Sequence, residues 1–418
     1  MEEMITLNEA TLAFIRQHRT EDVRQLALRG CRQAEVDLRE ALVQIAGWQQ
    51  ARTKLPDWAA TEGVLYPPHL SMEQCSSQLT ATYKQTIIQR TRQLEDSQPL
   101  AGVAVSQSTF ADLTGGLGID CSYLSHCFAK TTYVERQELL CQLAKHNFPL
   151  LGMKHFTICH QDGVEYLQQM EAVDWIYLDP ARRNAHGGKV VAISDCEPNV
   201  QVLEPLLLAK APHVLVKLSP MLDLTWSLRD LHHVEAAYII AADGECKELL
   251  LQLSRGQVPP ADEIPITCTH LHSNSPTEEF TFTKREEQQA PLRVADEPQN
   301  YLYEPHAALL KAGAYNLLSQ RYPVKKLHPN SHLYTSEVAI EDFPGRRFRI
   351  IGWSGMGKKE LKALTTDLKS ANLTVRNFPI STEALRKKLK LTEGGPITLY
   401  ATTKRDGEHI LIKGERSC

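Results

Sequence analysis

The stretch Phe110-Ala111-Asp112-Leu113-Thr114-Gly115-Gly116-Leu117-Gly118-Ile119-Asp120 decides the architecture. A short apolar run ends in Asp112, and Thr114, Gly115, Gly116 and Gly118 crowd the turn that follows. The next residues, Ser122 to Ala129, can be helical. Strand, glycine turn and helix in that order are the grammar of a nucleotide-type ligand site. Glycines let the backbone come close to a ligand and adopt angles that a Cβ forbids.

Downstream the same alternation repeats. Apolar strand candidates are Phe110–Leu113, Thr131–Val134, Phe156–Cys159, Trp175–Leu178 and Val214–Leu218. Helical patterns lie between them, at Glu138 to His146, Val164 to Met170 and Val200 to Ala211. Five such units predict a parallel, doubly wound sheet covered on both faces. The end differs, because Ala236–Ala242 and Glu248–Leu253 flank Asp243-Gly244-Glu245, which is a hairpin signal. The expected fold class is therefore α/β, Rossmann-like, parallel with an antiparallel last strand.

Four acidic residues follow the strand ends in order. Asp112 lies in the glycine turn, Glu135 ends Tyr133-Val134-Glu135, Asp162 follows Cys159-His160-Gln161, and Asp179 opens Asp179-Pro180-Ala181-Arg182-Arg183. Open α/β sheets bind ligands outside the carboxyl ends of their strands, where strand order reverses. Four acids at that edge make one coherent site, although each alone could be a helix cap. A nicotinamide fingerprint fits less well: Gly116-x-Gly118-x-x-Cys121 lacks the last glycine, and Asp179-Pro180 has no role in it.

Before the sheet, residues 1–98 read as a helical domain. Leu12, Phe14 and Ile15, then Val23, Leu26 and Leu28, then Leu38, Leu42 and Ile45 recur near a period of 3.6. Thr20-Glu21-Asp22 is a helix start with the Thr20 hydroxyl as cap. Leu70 to Lys84 resumes the helix with many small hydroxyls, more in keeping with caps and surface than with a pocket. After the sheet, residues 255–275 read as a linker, from Pro259-Pro260, Pro265 and Ser273 to Pro276. Phe280–Phe282 is a strand candidate and Pro305 to Tyr315 a helix candidate. From Arg347 onward the pattern is βαβαββ, a small α+β module.

Bulk composition bounds the function classes. With 418 residues, 42% hydrophobic and 23% charged, the chain is a globular protein of two to four domains. No run approaches the roughly 18–20 apolar residues of a membrane span. The acidic start, Met1 to Glu9, has no basic segment of a secretory signal. Ten cysteines without C-x-x-C pairs suit a reduced, cytoplasmic protein with neither zinc ribbon nor disulfide framework, and no metal site is expected. The net charge of −4 hides an asymmetry: Gly345 to Cys418 carries +9 and the remainder −13. A basic tail points to a polyanionic partner, or to a solvated helix face.

The strand-end pattern resembles the class I S-adenosylmethionine (SAM)-dependent methyltransferases over roughly residues 100–254. The resemblance implies SAM as cofactor. It makes Thr114, Gly116 and Gly118 the loop beneath it, with Asp112 near its amino group, Glu135 on the ribose hydroxyls and Asp162 on the adenine amino group. Asp179 and Pro180 match the catalytic loop, and Arg182, Arg183 and Lys217 would stand at the same mouth to hold substrate phosphates. Thr114 stands where the commonest pattern has glycine. Carbon methylation of uracil would require a cysteine nucleophile before a proline after the fifth strand. Val216-Lys217-Leu218-Ser219-Pro220 has none, and Cys196 is the nearest alternative. Transfer to nitrogen or oxygen is therefore favoured.

The C-terminal part resembles the THUMP-like domain of a bacterial methyltransferase family, on Phe348 to Gly355, Lys358-Lys359 and Arg386-Lys387-Lys388. A small ferredoxin-like segment precedes it in that family, and Glu73 to Lys84 also looks like that family. The expected domains are 1–98 helical, 99–256 methyltransferase, 275–340 ferredoxin-like and 341–418 THUMP-like. The expected partner is structured RNA, tRNA or rRNA. A DNA or small-molecule methyltransferase, or a non-catalytic RNA-binding protein that keeps the fold, are the alternatives.

Overall fold

The computed structural model describes residues 7–31, 33–96, 107–182, 192–273 and 275–417. It divides into two units: 1–235 with 249–258, and 236–248 with 259–418.

Unit 1 opens with helices α1 (Glu9–His18), α2 (Val23–Arg29), α3 (Leu38–Lys54), α4 (Pro56–Ala60), α5 (His69–Gln74) and α6 (Gln78–Asp96). The 3.6-residue recurrence is thus realised as helix. One detail differs from expectation: Asp22, not Thr20, caps α2, accepting from Gln25 N–H at 2.8 Å. A carboxylate at the N-cap also meets the positive end of the helix dipole, which a hydroxyl does not. These helices are not a separate layer. Ala51, Leu55, Trp58, Tyr66, Met72 and Ala81 share a buried cluster with Leu117 and Ile119 of the glycine turn. The extended stretch at Leu65 is held by buried Asn147, which accepts from Leu65 N–H at 2.9 Å and donates to its carbonyl at 2.8 Å.

The sheet of unit 1 follows the expected alternation. β1 (Thr109–Asp112), α7 (Ile119–Leu124), β2 (Lys130–Glu135), α8 (Glu138–Leu150), β3 (Phe156–His160), α9 (Gly163–Gln169) and β4 (Trp175–Leu178) come first. A short antiparallel pair follows, β5 (Ala181–Arg182) with β6 (Cys196–Glu197), and then α10 (Val200–Lys210), β7 (His213–Leu218) and α11 (Leu224–Asp230). β1 pairs in parallel with both β2 and β4, β2 with β3, and β4 with β7. Strand order therefore reverses at β1, with β4 on its other side. Every residue of β4 is buried, as in a strand covered on both faces.

β8 (Val234–Ala242) and β9 (Glu245–Ser254) form the hairpin, and the chain passes between the units within it. Asp243 (φ 54°) and Gly244 (φ 78°) are its two turn residues, the positive-φ pair that the tightest hairpin turn demands. β9 runs antiparallel to β7, as expected of the last strand.

In unit 2, β10 (Ile266–Leu271) pairs in parallel with β8 and antiparallel with β11 (Glu278–Phe282). β10 lies inside the stretch read as linker. Prolines on both sides masked it, although Ile266-Thr267-Cys268-Thr269-His270-Leu271 is rich in β-branched residues. Next come α12 (Lys284–Gln289), β12 (Tyr301–Pro305), α13 (Ala307–Ala312), α14 (Asn316–Arg321), β13 (Lys325–Lys326) and β14 (Tyr334–Ser336). Tyr301 to Pro305 is thus a strand, and the helix expected from Pro305 starts at Ala307 and breaks at Gly313 (φ 79°).

β15 (Gly345–Gly355), α15 (Lys358–Thr365), β16 (Asn372–Val375), α16 (Thr382–Leu389), β17 (Ile397–Thr403) and β18 (His409–Arg416) realise the βαβαββ pattern. Strand order is β13-β14-β12-β15-β18-β17-β16. Leu361 of α15 and Leu385 of α16 bury into one cluster with Leu399, Ala401 and Leu411 of the sheet. Both helices therefore cover the same sheet face and turn their outer faces to the same side.

Candidate active site

A cavity of about 560 Å³ opens at the carboxyl ends of β1, β2 and β4, within the usual range for small-molecule sites. Thr114, Glu135, Asp162 and Asp179 line it, with Gly163, Arg136, Gln137, Asn199, Val202 and Leu203. Strand order reverses at this edge, where an open α/β sheet leaves a crevice.

The glycine turn is held open by its neighbours. Gly115 N–H donates to Val134 O at 2.9 Å and Gly116 N–H to Glu135 Oε2 at 2.8 Å. The Tyr133 hydroxyl donates to Gly116 O. Gly116 (φ 55°) and Gly118 (φ 82°) occupy the left-handed region, where glycine avoids the steric cost of a Cβ. A Cβ on Gly115 would stand 2.2 Å from the Tyr133 ring, and one on Gly163 would stand 2.0 Å from Leu113 O. The start of α9 and the end of β1 are therefore in backbone contact beside the cavity, through a glycine that the sequence reading passed over.

Each expected acid has a defined local task. Asp112, 1% exposed, accepts from Thr114 N–H at 3.0 Å. Burial holds its pKa well above the ordinary carboxylate range, reinforced by Asp120, Asp179 and Glu135. Glu135 accepts from Gly116 N–H and, through Oε1, from Gln137 N–H at 2.7 Å. Asp162 caps α9, accepting from Val164 N–H at 2.8 Å and Glu165 N–H at 3.3 Å. Asp179 N–H donates to Thr114 Oγ1 at 2.6 Å, which ties the β4 loop to the glycine turn. That bond gives the threonine at this position a role that glycine could not fill. Gly118 stands at the start of α7, and Pro180 is buried behind Asp179.

Lys217, at the end of β7, donates to Asp179 Oδ2 at 2.5 Å and to Ser76 Oγ at 3.0 Å. Behind it lies a buried network that the sequence did not reveal. Lys84 Nζ lies 3.0 Å from Asp120 Oδ1, Ser76 Oγ donates to Asp120 Oδ2 at 2.8 Å, and Tyr177 OH donates to the same oxygen at 2.6 Å. Burial alone would raise Asp120, but Lys84, Lys217 and these hydroxyls outweigh it and hold its pKa below the ordinary range. For Asp179 burial prevails, and its pKa is raised against the pull of Lys217. The hydroxyl-rich stretch thus divides: Ser76 faces inward to two lysines, while Ser77 caps α6 through Thr80 N–H. Asp120 closes the glycine-turn stretch and Lys84 the hydroxyl-rich one, but nothing in the sequence joins the two.

Arg182 pairs with Cys196 in the β5–β6 ladder, and Arg183 lies outside the described residues. Cys196 is buried, 1% exposed. Among the described residues, no helix is long and apolar enough to cross a membrane.

A strand-order reversal, an antiparallel last strand and a glycine turn under a cavity define the class I methyltransferase fold. Comparison with known proteins agrees. Residues 301–344 match the model of a ferredoxin-like domain and residues 345–416 that of a THUMP-like domain. A crystal structure of a candidate methyltransferase from Porphyromonas gingivalis W83 shares 34% identity over 99% of this chain and 100% of that one, with a TM-score of 0.85. The chain belongs to this family of class I SAM-dependent methyltransferases with a C-terminal THUMP-like domain. A candidate class I SAM-dependent methyltransferase from Listeria monocytogenes is 12% identical, covering 61% of this chain and 93% of its own, with a TM-score of 0.35. A candidate methyltransferase from Streptococcus mutans, solved with SAH, is 14% identical over 35% of this chain and 88% of its own, with a TM-score of 0.28. No curated protein matches the chain.

Proposed function

We propose that the protein transfers a methyl group from SAM to a nitrogen or oxygen of a base or ribose in structured RNA, tRNA or rRNA. The cavity at the strand-order reversal carries this reading: its backbone is brought close by Gly115 and Gly163, and Glu135, Asp162 and Asp179 stand along its rim. The residues fit the cofactor. Glu135 has acceptor capacity for two ribose hydroxyls and Asp162 for the adenine amino group, while Asp112, 1% exposed and bonded to Thr114 N–H, lies outside the cavity lining. Of the glycine-turn residues Thr114 lines the cavity, and on this reading Gly116 and Gly118 shape the turn beside it.

When bound, SAM supplies an electrophilic methyl on a sulfonium. The chain's own residues align the acceptor. Asp179, beside Pro180 on the β4 loop, accepts a hydrogen bond from the acceptor amine, and alignment provides most of the acceleration. Lys217, buried against Asp179 and Ser76, sets the orientation of the Asp179 carboxylate and is not free for substrate phosphates, a role this reading leaves to Arg182 and Arg183. On this reading, residues 1–98 form the helical domain, 99–256 the methyltransferase domain, 275–340 the ferredoxin-like segment and 341–418 the RNA-presenting domain.

The charge of the last segment supports an RNA partner. Several of its basic residues are already paired: Arg346 and Arg376 with Glu304, Lys413 with Asp367, Lys404 with Glu408 and Arg349 with Glu415. Lys358, Lys359 and Lys362 of α15, and Lys387, Lys388 and Lys390 at α16, are exposed on helices that share one outer side. Such a patch attracts phosphates and predicts affinity that falls with salt.

The test is incubation with methyl-labelled SAM and total RNA from cells lacking the gene, followed by nucleoside mass spectrometry. The expected result is one methylated nucleoside restored. Label entering only DNA or small molecules would overturn the RNA assignment, and no transfer to any fraction would favour the non-catalytic alternative.

A further inference from the structure

We propose that unit 2 holds one divalent transition-metal ion of the zinc class, ligated by His270, His272, Glu278 and His306. His270 lies on β10 and His272 one residue past its end, two positions apart in extended chain, the spacing that puts side chains on one face. Glu278 opens β11 directly opposite His270 in the ladder. One ligand atom from each of these three lies within 4.8 Å of the others, and His272 Nε2 is 3.1 Å from Glu278 Oε1. Ligands of one tetrahedral zinc are about 3.4 Å apart, given bonds near 2.1 Å, so small side-chain rotations close the set.

His306 is the second, independent observation. It is 6% exposed, precedes α13, and neither ring nitrogen has a hydrogen-bond partner. Its ring centroid is 5.4 Å from that of His270. Two imidazoles on one tetrahedral ion lie roughly 5 Å apart by centroid. His270 Nδ1 and Glu278 Oε2 are likewise buried without a partner. Each such orphan is unfavourable, because a buried polar atom has given up water without gaining a partner. Three neighbouring elements thus present unsatisfied polar atoms to one place, which a shared cation explains and packing does not.

The ligand chemistry selects the ion. Three imidazoles and one carboxylate suit zinc and its neighbours rather than calcium or magnesium, and four protein ligands close a tetrahedron. Such an ion would pin the β10–β11 hairpin to the start of α13. No part of the methyl-transfer reading depends on it.

The test uses the full chain, purified without a histidine tag and stripped with chelator. Titration with Co²⁺ should give one tetrahedral visible spectrum per chain, without the thiolate charge-transfer band of cysteine ligands, and Zn²⁺ should bleach it. Glu278→Gln and His272→Gln, both at half-buried positions, should weaken uptake at least about tenfold while circular dichroism of the stripped protein is unchanged. His306→Ala should do the same; if it misfolds, the other two variants decide. Absence of stoichiometric uptake, or uptake undiminished in both glutamine variants, would overturn the proposal.

Discussion

The sheet edge of unit 1 and the helical face of unit 2 carry charge in opposite ways. At the sheet edge Asp112, Asp120 and Glu135 are buried, and desolvation and individual partners set the charge of Asp112 and Asp120. On α15 and α16 the lysines are exposed and act together, each weakly, over a distance set by salt. One design holds a small ligand in a fixed geometry, and the other suits a large, flexible polyanion. Burial thus decides what one residue class does. Lys84 is fully buried and structural, whereas Lys387 is exposed and available.

The largest expected effect breaks the buried side. Asp120→Ala removes the buried ion pair with Lys84, 0% exposed. Denaturant unfolding should show a loss of about 3–5 kcal/mol, the cost of an uncompensated buried charge. Gly163→Ala comes next, because its Cβ would meet the Leu113 carbonyl at 2.0 Å and force backbone apart. About 1–3 kcal/mol of stability should go, measured the same way, together with SAM affinity in calorimetry.

The pH response separates two carboxylates of that edge. Asp112 is raised in the folded state, so the native chain binds more protons than the unfolded one, and its contribution to stability falls as pH climbs from the ordinary carboxylate range to the raised value. Asp120 is depressed, so its contribution is present above the ordinary range and lost as pH falls through it. Asp112→Asn should therefore flatten the falling limb of the stability profile and leave the acid limb in place. The smallest effect belongs to the exposed side. Lys387→Ala or Lys388→Ala should change stability by no more than about 0.5 kcal/mol. Either should lower the salt dependence of RNA binding by about one counterion, read from affinity at several salt concentrations.

Where the chain announces itself, the signal is local. Asp112, Glu135 and Asp179 could be placed because each directly follows a hydrophobic run that is a strand, and the hairpin because Asp243-Gly244 demands positive φ. Asp162 was legible as a strand-end acid, and its capping of α9 is compatible with facing the cavity. The Ser76–Lys84–Asp120–Lys217 network was not legible. Its members come from the start of α6, its second turn, α7 and β7, and only packing brings them together. β10 and β12 were hidden for another reason. Both are short, and prolines beside or within them suppress the strand pattern although the prolines lie at ends that need no donor.

The central claim is that the cavity beneath the glycine turn holds SAM, and isothermal titration of the full chain with SAM tests it most directly. The account predicts one site per chain, weakened at least about tenfold in Glu135→Gln, since a hydrogen bond to a charged group is worth about 1.5–3 kcal/mol. No binding to the wild-type chain, or binding undiminished in Glu135→Gln, would contradict it.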